Sequence, residues 1–350
     1  MRYLKIQPLA RAVGKIARIG VYLLVLPAKA QLGGSQSFSF LLLPSGAQIV
    51  GLGSVQVAPS DAEATAWLGN AALNTKASHQ RVSLQLQSLS RQGWQTVVGY
   101  TSPMGNNRQI GMGLQYIGYG QFEGYDLTGA PTGNFTAAEY ALAFNYSHQI
   151  APFTVGANLK IAGSSIAHFS AVAALIDAGA IFQHPQKDLR AGVSIRNMGF
   201  AVSNYTDASE WIMPFDAQIG MSFKPEQMPF RFLLTAWQLF PRPGIVQGGS
   251  LPNWNQNAFM ERFTRRLVAG VQVVVHRALQ LNLGYNVLYR RELSLPQRRA
   301  LSGFSLGFNF RLKNWQVAYG YQVRHVAGGV SSLGITTHLT KKVRQRMEVD

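Results

Sequence analysis

The sequence predicts an all-β chain, a transmembrane antiparallel β-barrel of about 14 strands with an N-terminal plug segment. Three observations lead there. From Val82 onward, short segments alternate large apolar residues with small or polar ones, the two-residue period of strands. The interleaved polar face is mostly Gly, Ser, Asn and Gln. The longest connections all follow odd-numbered segments, as when one end of a barrel carries long extracellular loops and the other short periplasmic turns.

Composition agrees with this reading. The chain has 350 residues with 35 glycines, 11% aromatic and only 13% charged residues, and its mean hydropathy is +0.02. A barrel gives such an average because every second strand residue faces lipid and its neighbour a polar interior. No stretch reaches the roughly 18 apolar residues that a membrane helix needs.

Taken in order, residues 1–30 have the parts of a secretory signal. Arg2, Lys5, Arg11, Lys15 and Arg18 form a basic region, Ile19 to Pro27 an apolar run, and Ala28-Lys29-Ala30 an A-x-A-like cleavage site. The mature chain is expected to start at Gln31, and losing these five cations with Lys29 lowers the formal charge from +17 to +11. For an exported chain that excess suits anionic lipid and lipopolysaccharide rather than nucleic acid. There are no cysteines, so neither a disulfide framework nor a thiolate metal site is available. Residues 31–80 form the expected plug, irregular from Ser35 to Gln80, with Ser60-Asp61-Ala62-Glu63 predicting an N-cap and the first turn of a short helix.

The barrel is expected over 81–340, with strands near 81–90, 93–102, 109–119, 137–149, 153–163, 169–184, 189–198, 214–224, 229–240, 264–276, 278–290, 300–311, 314–326 and 330–340. The clearest pair is Phe304, Leu306, Phe308 and Phe310 against Trp315, Val317, Tyr319 and Tyr321. A tight turn at Lys313-Asn314 sets Phe310 opposite Val317 and Phe308 opposite Tyr319, putting both apolar faces on one side. A soluble β-sandwich also alternates, but its wet face is commonly charged. The last residues, 341–350, read as a polar tail.

Several segments, in order, resemble a known family. They include 40–47 (Phe40 to Ala47), the block Tyr116 to Asp126, Thr132-Gly133-Asn134-Phe135, Val155 to Lys160, Pro214-Phe215-Asp216, Leu283-Gly284-Tyr285-Asn286 and Leu301 to Ser305. Together they resemble the PorQ family of the type IX secretion system, within the wider FadL-like barrel group. Asn70-Ala71-Ala72 departs from the Asn-Pro-Ala usual in related barrels. The resemblance implies a plugged fourteen-stranded barrel in the outer membrane of a Bacteroidota-type bacterium. It also implies a surface anchor that holds a PorZ-like partner beside the sortase PorU and the shuttle PorV, where secreted proteins are fixed to lipopolysaccharide.

Candidate sites follow from placement. Asp177 lies mid-strand on the lumen parity, and a turn near Pro185 to Asp188 brings Arg196 across from it, predicting a lumen ion pair. The loop from Pro241 to Phe263 carries Trp254, Phe259 and Met260, and a second long loop carries Tyr205 and Trp211. Such apolar loop residues make a candidate partner-docking surface. Tyr100, Tyr119, Tyr289 and Trp315 fit interfacial girdles or cross-strand packing. The seven histidines are scattered without i, i+3 or i, i+4 spacing, so no metal site is expected. Gly111-Met112-Gly113 lies inside a strand, the wrong context for dinucleotide binding. Ser45, Ser60 and Ser302 lack recognisable His and acid companions, and neither a catalytic residue nor a cofactor is expected. Two functions remain open: a non-enzymatic scaffold that docks an external protein, and a FadL-like carrier of hydrophobic small molecules.

Overall fold

A computed structural model describes residues 37–76, 80–89, 93–126, 128–205, 212–240, 263–292, 301–325 and 328–339. The expected signal segment 1–30 and the tail 341–350 lie outside them.

Fourteen strands form one closed antiparallel barrel. They are β1 Arg81–Ser88, β2 Trp94–Pro103, β3 Arg108–Tyr125, β4 Pro131–Ile150, β5 Phe153–Ile166, β6 Phe169–Gln183 and β7 Leu189–Ser203. The second half is β8 Asp216–Phe223, β9 Phe230–Ala236, β10 Leu267–His276, β11 Leu279–Asn286, β12 Phe304–Arg311, β13 Trp315–His325 and β14 Gly328–His338. Each strand pairs with its sequence neighbours, and β1 closes on β14 from Arg81↔His338 to Ser88↔Ser331. Closure leaves no strand edge in the wall, which is what a sheet surrounded by lipid requires.

The two faces separate as the alternation requires. Phe304, Leu306 and Phe308 point outward, 47%, 55% and 39% exposed, while the alternate residues Ser305 and Asn309 are buried. The hairpin register is the expected one, with Phe308↔Tyr319 and Phe310↔Val317. Rings also meet across the outer face at Tyr285–Phe304, 4.7 Å between centroids, and at Trp94–Tyr116, 5.3 Å.

Long connections over 204–215, 237–266 and 287–303 follow odd-numbered strands. One expected loop is instead a continuation of the wall. β3 and β4 stay paired from Gln121↔Thr136 to Gly124↔Gly133, past the last rungs with β2 and β5, at Gly118 and Ala137. Phe122 and Phe135 stack at 5.5 Å. The Asp126 carboxylate closes the ribbon by accepting from the N–H groups of Thr128 (2.8 Å) and Ala130 (2.9 Å).

Two of the aromatic residues assigned to girdles turn inward. Tyr119 donates to Glu139, and Tyr289, in the short helix Val287–Glu292, packs edge-on against buried Trp237 at 6.1 Å. Tyr100 and Trp315 remain on the outside, 40% and 51% exposed.

Candidate functional site in the barrel lumen

The lumen holds the chain's own N-terminal segment. Its described residues contain the short helix Ala47–Gly51 and three-residue-per-turn stretches at Ser39–Leu42, Ala66–Leu68 and Ala71–Leu73. Phe40, Leu41, Val50, Leu52, Trp67 and Ala72 are fully buried. With so little regular structure, the segment's backbone polar groups need partners from elsewhere. The inward side chains of the wall supply them.

On one side of the barrel, Gln95 of β2 donates to the Pro44 carbonyl (3.2 Å) and Gln115 of β3 to Phe40 (3.0 Å). Asn145 of β4 donates to Ala71 (3.0 Å) and Asn158 of β5 to Trp67 (3.1 Å). Across the lumen, Ser222 of β8 donates to Ala58 (2.8 Å), Asn286 of β11 to Gly53 (3.1 Å) and Ser305 of β12 to Gly51 (3.2 Å). Ser54 in turn donates to Gln322 of β13 at 2.6 Å. The Ser, Asn and Gln of the alternating polar face are thus the counterparts of an irregular backbone.

Glycine marks where that backbone touches the wall. A Cβ on Gly156 of β5 would overlap the Ala71 carbonyl, and one on Gly284 of β11 would overlap the Gly53 amide. Asn70 orders the same region by accepting from the Ala72 N–H (3.2 Å) and donating to the Val57 carbonyl (2.9 Å).

The helix expected after Ser60 does not form. Asp61 adopts φ 54°, and its carboxylate lies 3.4 Å from Arg311. The carboxylate that would have led a helix is engaged by a cation at the end of β12.

The predicted Asp177–Arg196 pair is also corrected. The β6–β7 register follows expectation through Ala178↔Ile195, then slips so that Ile176 faces Met198. Asp177 therefore faces a bulge in which Asn197 has φ 58°. Its carboxylate accepts from the Asn197 N–H (2.8 Å) and from Asn158 (2.9 Å), and it pairs with Lys160 Nζ at 2.5 Å. Arg196 stays inside and donates to the Leu41 carbonyl at 2.7 Å. Among the described residues no ion pair joins it to Asp177. Sequence reasoning missed Lys160, although the parity of β5 sets it inward beside Asn158.

Of the proposed docking residues, Trp211, Trp254, Phe259 and Met260 lie outside the described residues. Tyr205 is half-buried, donates to Ser164 of β5, and packs with the cluster around Phe38, Phe40 and Met213.

A closed antiparallel wall, apolar outside and hydrogen-bonded to its own filling within, defines the class: this is an outer-membrane β-barrel. In fold the chain is similar to the toluene transporter TodX of Pseudomonas putida, with a TM-score of 0.56 and 12% identity over 85% of this chain and 99% of that one. A second TodX structure gives 0.52 and 13%, covering 86% and 98%. At such identity the likeness is one of fold. No family model matches the chain, and no curated protein does either.

Proposed function

We propose that this protein is an outer-membrane scaffold of type IX secretion that passes no solute and holds a PorZ-like surface protein beside PorU and PorV. The observation that carries the reading is the filled lumen. Inward side chains of β2–β5, β8 and β11–β13 are engaged by the chain's own residues between Phe40 and Ala71, so they do not line an open path. The resemblance to the PorQ family supplies the secretion system and the partners, and the basic composition suits an environment of anionic lipopolysaccharide. The loop 241–263, with Trp254, Phe259 and Met260, is the docking surface in this reading.

A second reading is favoured by one observation, the fold shared with a toluene transporter. On it, the chain would be a FadL-like carrier of hydrophobic small molecules, and the inner segment would move.

Proteoliposomes separate the two. A scaffold admits neither toluene nor a fatty acid above the rate of empty vesicles, whereas uptake that depends on the protein favours the carrier. Purification from detergent-solubilised outer membrane is expected to bring down PorZ-like and sortase-like proteins. Deleting residues 246–258 should release them while the barrel stays heat-modifiable on gels. Unchanged retention would count against this docking surface.

A further inference from the structure

At the short-turn rim, the inward faces of four strands end in arginine. Arg81 opens β1, Arg190 and Arg231 stand at the starts of β7 and β9, and Arg311 closes β12. Strand parity turns all four into the lumen, where they surround Asp61 of the inner segment. Asp61 Oδ2 lies 3.4 Å from Arg311 Nη1 and 4.0 Å from Arg231 Nη1. Arg311 also donates to the Asp61 carbonyl (3.2 Å), and Arg190 to the Pro59 carbonyl (3.1 Å).

The charges do not balance. Guanidinium groups stay protonated, and among the described residues these four share two carboxylates, Asp61 and Asp188, the latter paired with Arg231. Arg81 donates its Nε–H to His338 Nε2 (2.9 Å) and Arg190 an Nη2–H to Gln183 Oε1 (3.1 Å).

Asp61 is a loosely held ligand in this cluster. Its separations exceed the roughly 2.7–2.9 Å of a good charge-assisted bond. Its side chain is 43% exposed. Burial pushes its carboxyl up, but Arg311 and then Arg231 outweigh that and hold it below its ordinary value. The cluster therefore favours an anion at this point.

We propose that the turn-side cluster of Arg81, Arg190, Arg231 and Arg311 is an oxyanion-binding site in which Asp61 is a tethered resident ligand and a phosphate group is the exogenous one. Planar guanidinium forks match phosphate oxygens in pairs, and a phosphate group carries more charge than one carboxylate. Displacing the Asp61 carboxylate removes one of the ties that hold the Pro59–Asp61 turn to the rim, so occupancy of the site is linked to how firmly the inner segment is held. The site consists of strand-end arginines and the Pro59–Asp61 turn, and it is the same in a scaffold and in a carrier.

Calorimetric titration of the full detergent-solubilised chain with inorganic phosphate, at constant ionic strength balanced with chloride, tests it. Asp61→Asn removes the resident competitor at nearly unchanged shape and is expected to tighten phosphate binding roughly five- to tenfold. Arg81→Gln combined with Arg190→Gln is expected to weaken it by at least as much. Heat-modifiability on gels shows that each variant is folded. Equal affinity in all three folded proteins, or heat of binding in none, overturns the proposal. Nanodiscs distinguish the source of the phosphate group. An isotherm lost in phosphatidylglycerol but kept in phosphatidylcholine supports the site with a lipid headgroup as its ligand. The same isotherm in both supports it with a soluble phosphate.

Discussion

Lys160 and Asp177 sit side by side on β5 and β6 with side chains 4% and 1% exposed. A charge so enclosed is tolerated only when paired and hydrogen-bonded. Lys160→Met leaves the Asp177 carboxylate without its cation and is expected to cost about 3–5 kcal/mol, read as a lower urea midpoint of the solubilised barrel. Replacing both, with Lys160→Met and Asp177→Leu, should recover much of that loss; equal destabilisation by single and double changes would contradict the pairing. Glu63 belongs to the inner segment and to no strand. Burial pushes its carboxyl up to about 7 from an ordinary 4.5. The folded state thus binds an extra proton between those values. Its contribution to stability is complete below about pH 4.5 and is lost as the pH rises through about 7. The unfolding midpoint should fall across that window, and Glu63→Gln should flatten the profile; a wild-type midpoint that does not change between pH 4.5 and 7.5 would refute this.

The β12–β13 hairpin shows what one element can be read for. Its period, its tight turn and the pairing Phe308↔Tyr319 agree with the pattern of alternating residues, because register within a hairpin follows from turn length and from the need to keep one face apolar. Phe308 faces lipid, so Phe308→Arg is expected to destabilise the barrel by about 2–4 kcal/mol if it lies near the bilayer midplane. Slower refolding into vesicles and a lower urea midpoint would report it, and a neutral outcome would mean that this face is not in hydrocarbon. The β3–β4 hairpin was less legible. Its outer ribbon, with Gly120, Gly124 and Gly133, carries turn-type residues, yet the two strands remain paired through Phe122↔Phe135. Cross-strand stacking outweighed the local signal for a loop.

For the whole molecule, the filled lumen is the property with the widest consequences. A variant lacking residues 44–66 should still close, because the β1–β14 ladder uses none of them. It should conduct ions in planar bilayers where the intact chain stays silent. A silent deletion variant would mean that something other than this segment blocks the lumen.

By itself the sequence determined the strand number, the two faces and the register of the β12–β13 hairpin. Each of these follows from a period of two and from short turns, which are local properties. Only the tertiary structure decided which inward groups meet. Ser54 and Gln322 lie 268 positions apart, and the Asp177 pairing turned on a one-residue bulge at Asn197. Contacts of this kind depend on where an irregular segment comes to rest against a closed wall. No period in the chain encodes that position, because it is set by the fit of backbone carbonyls to side chains brought together only when the barrel closes.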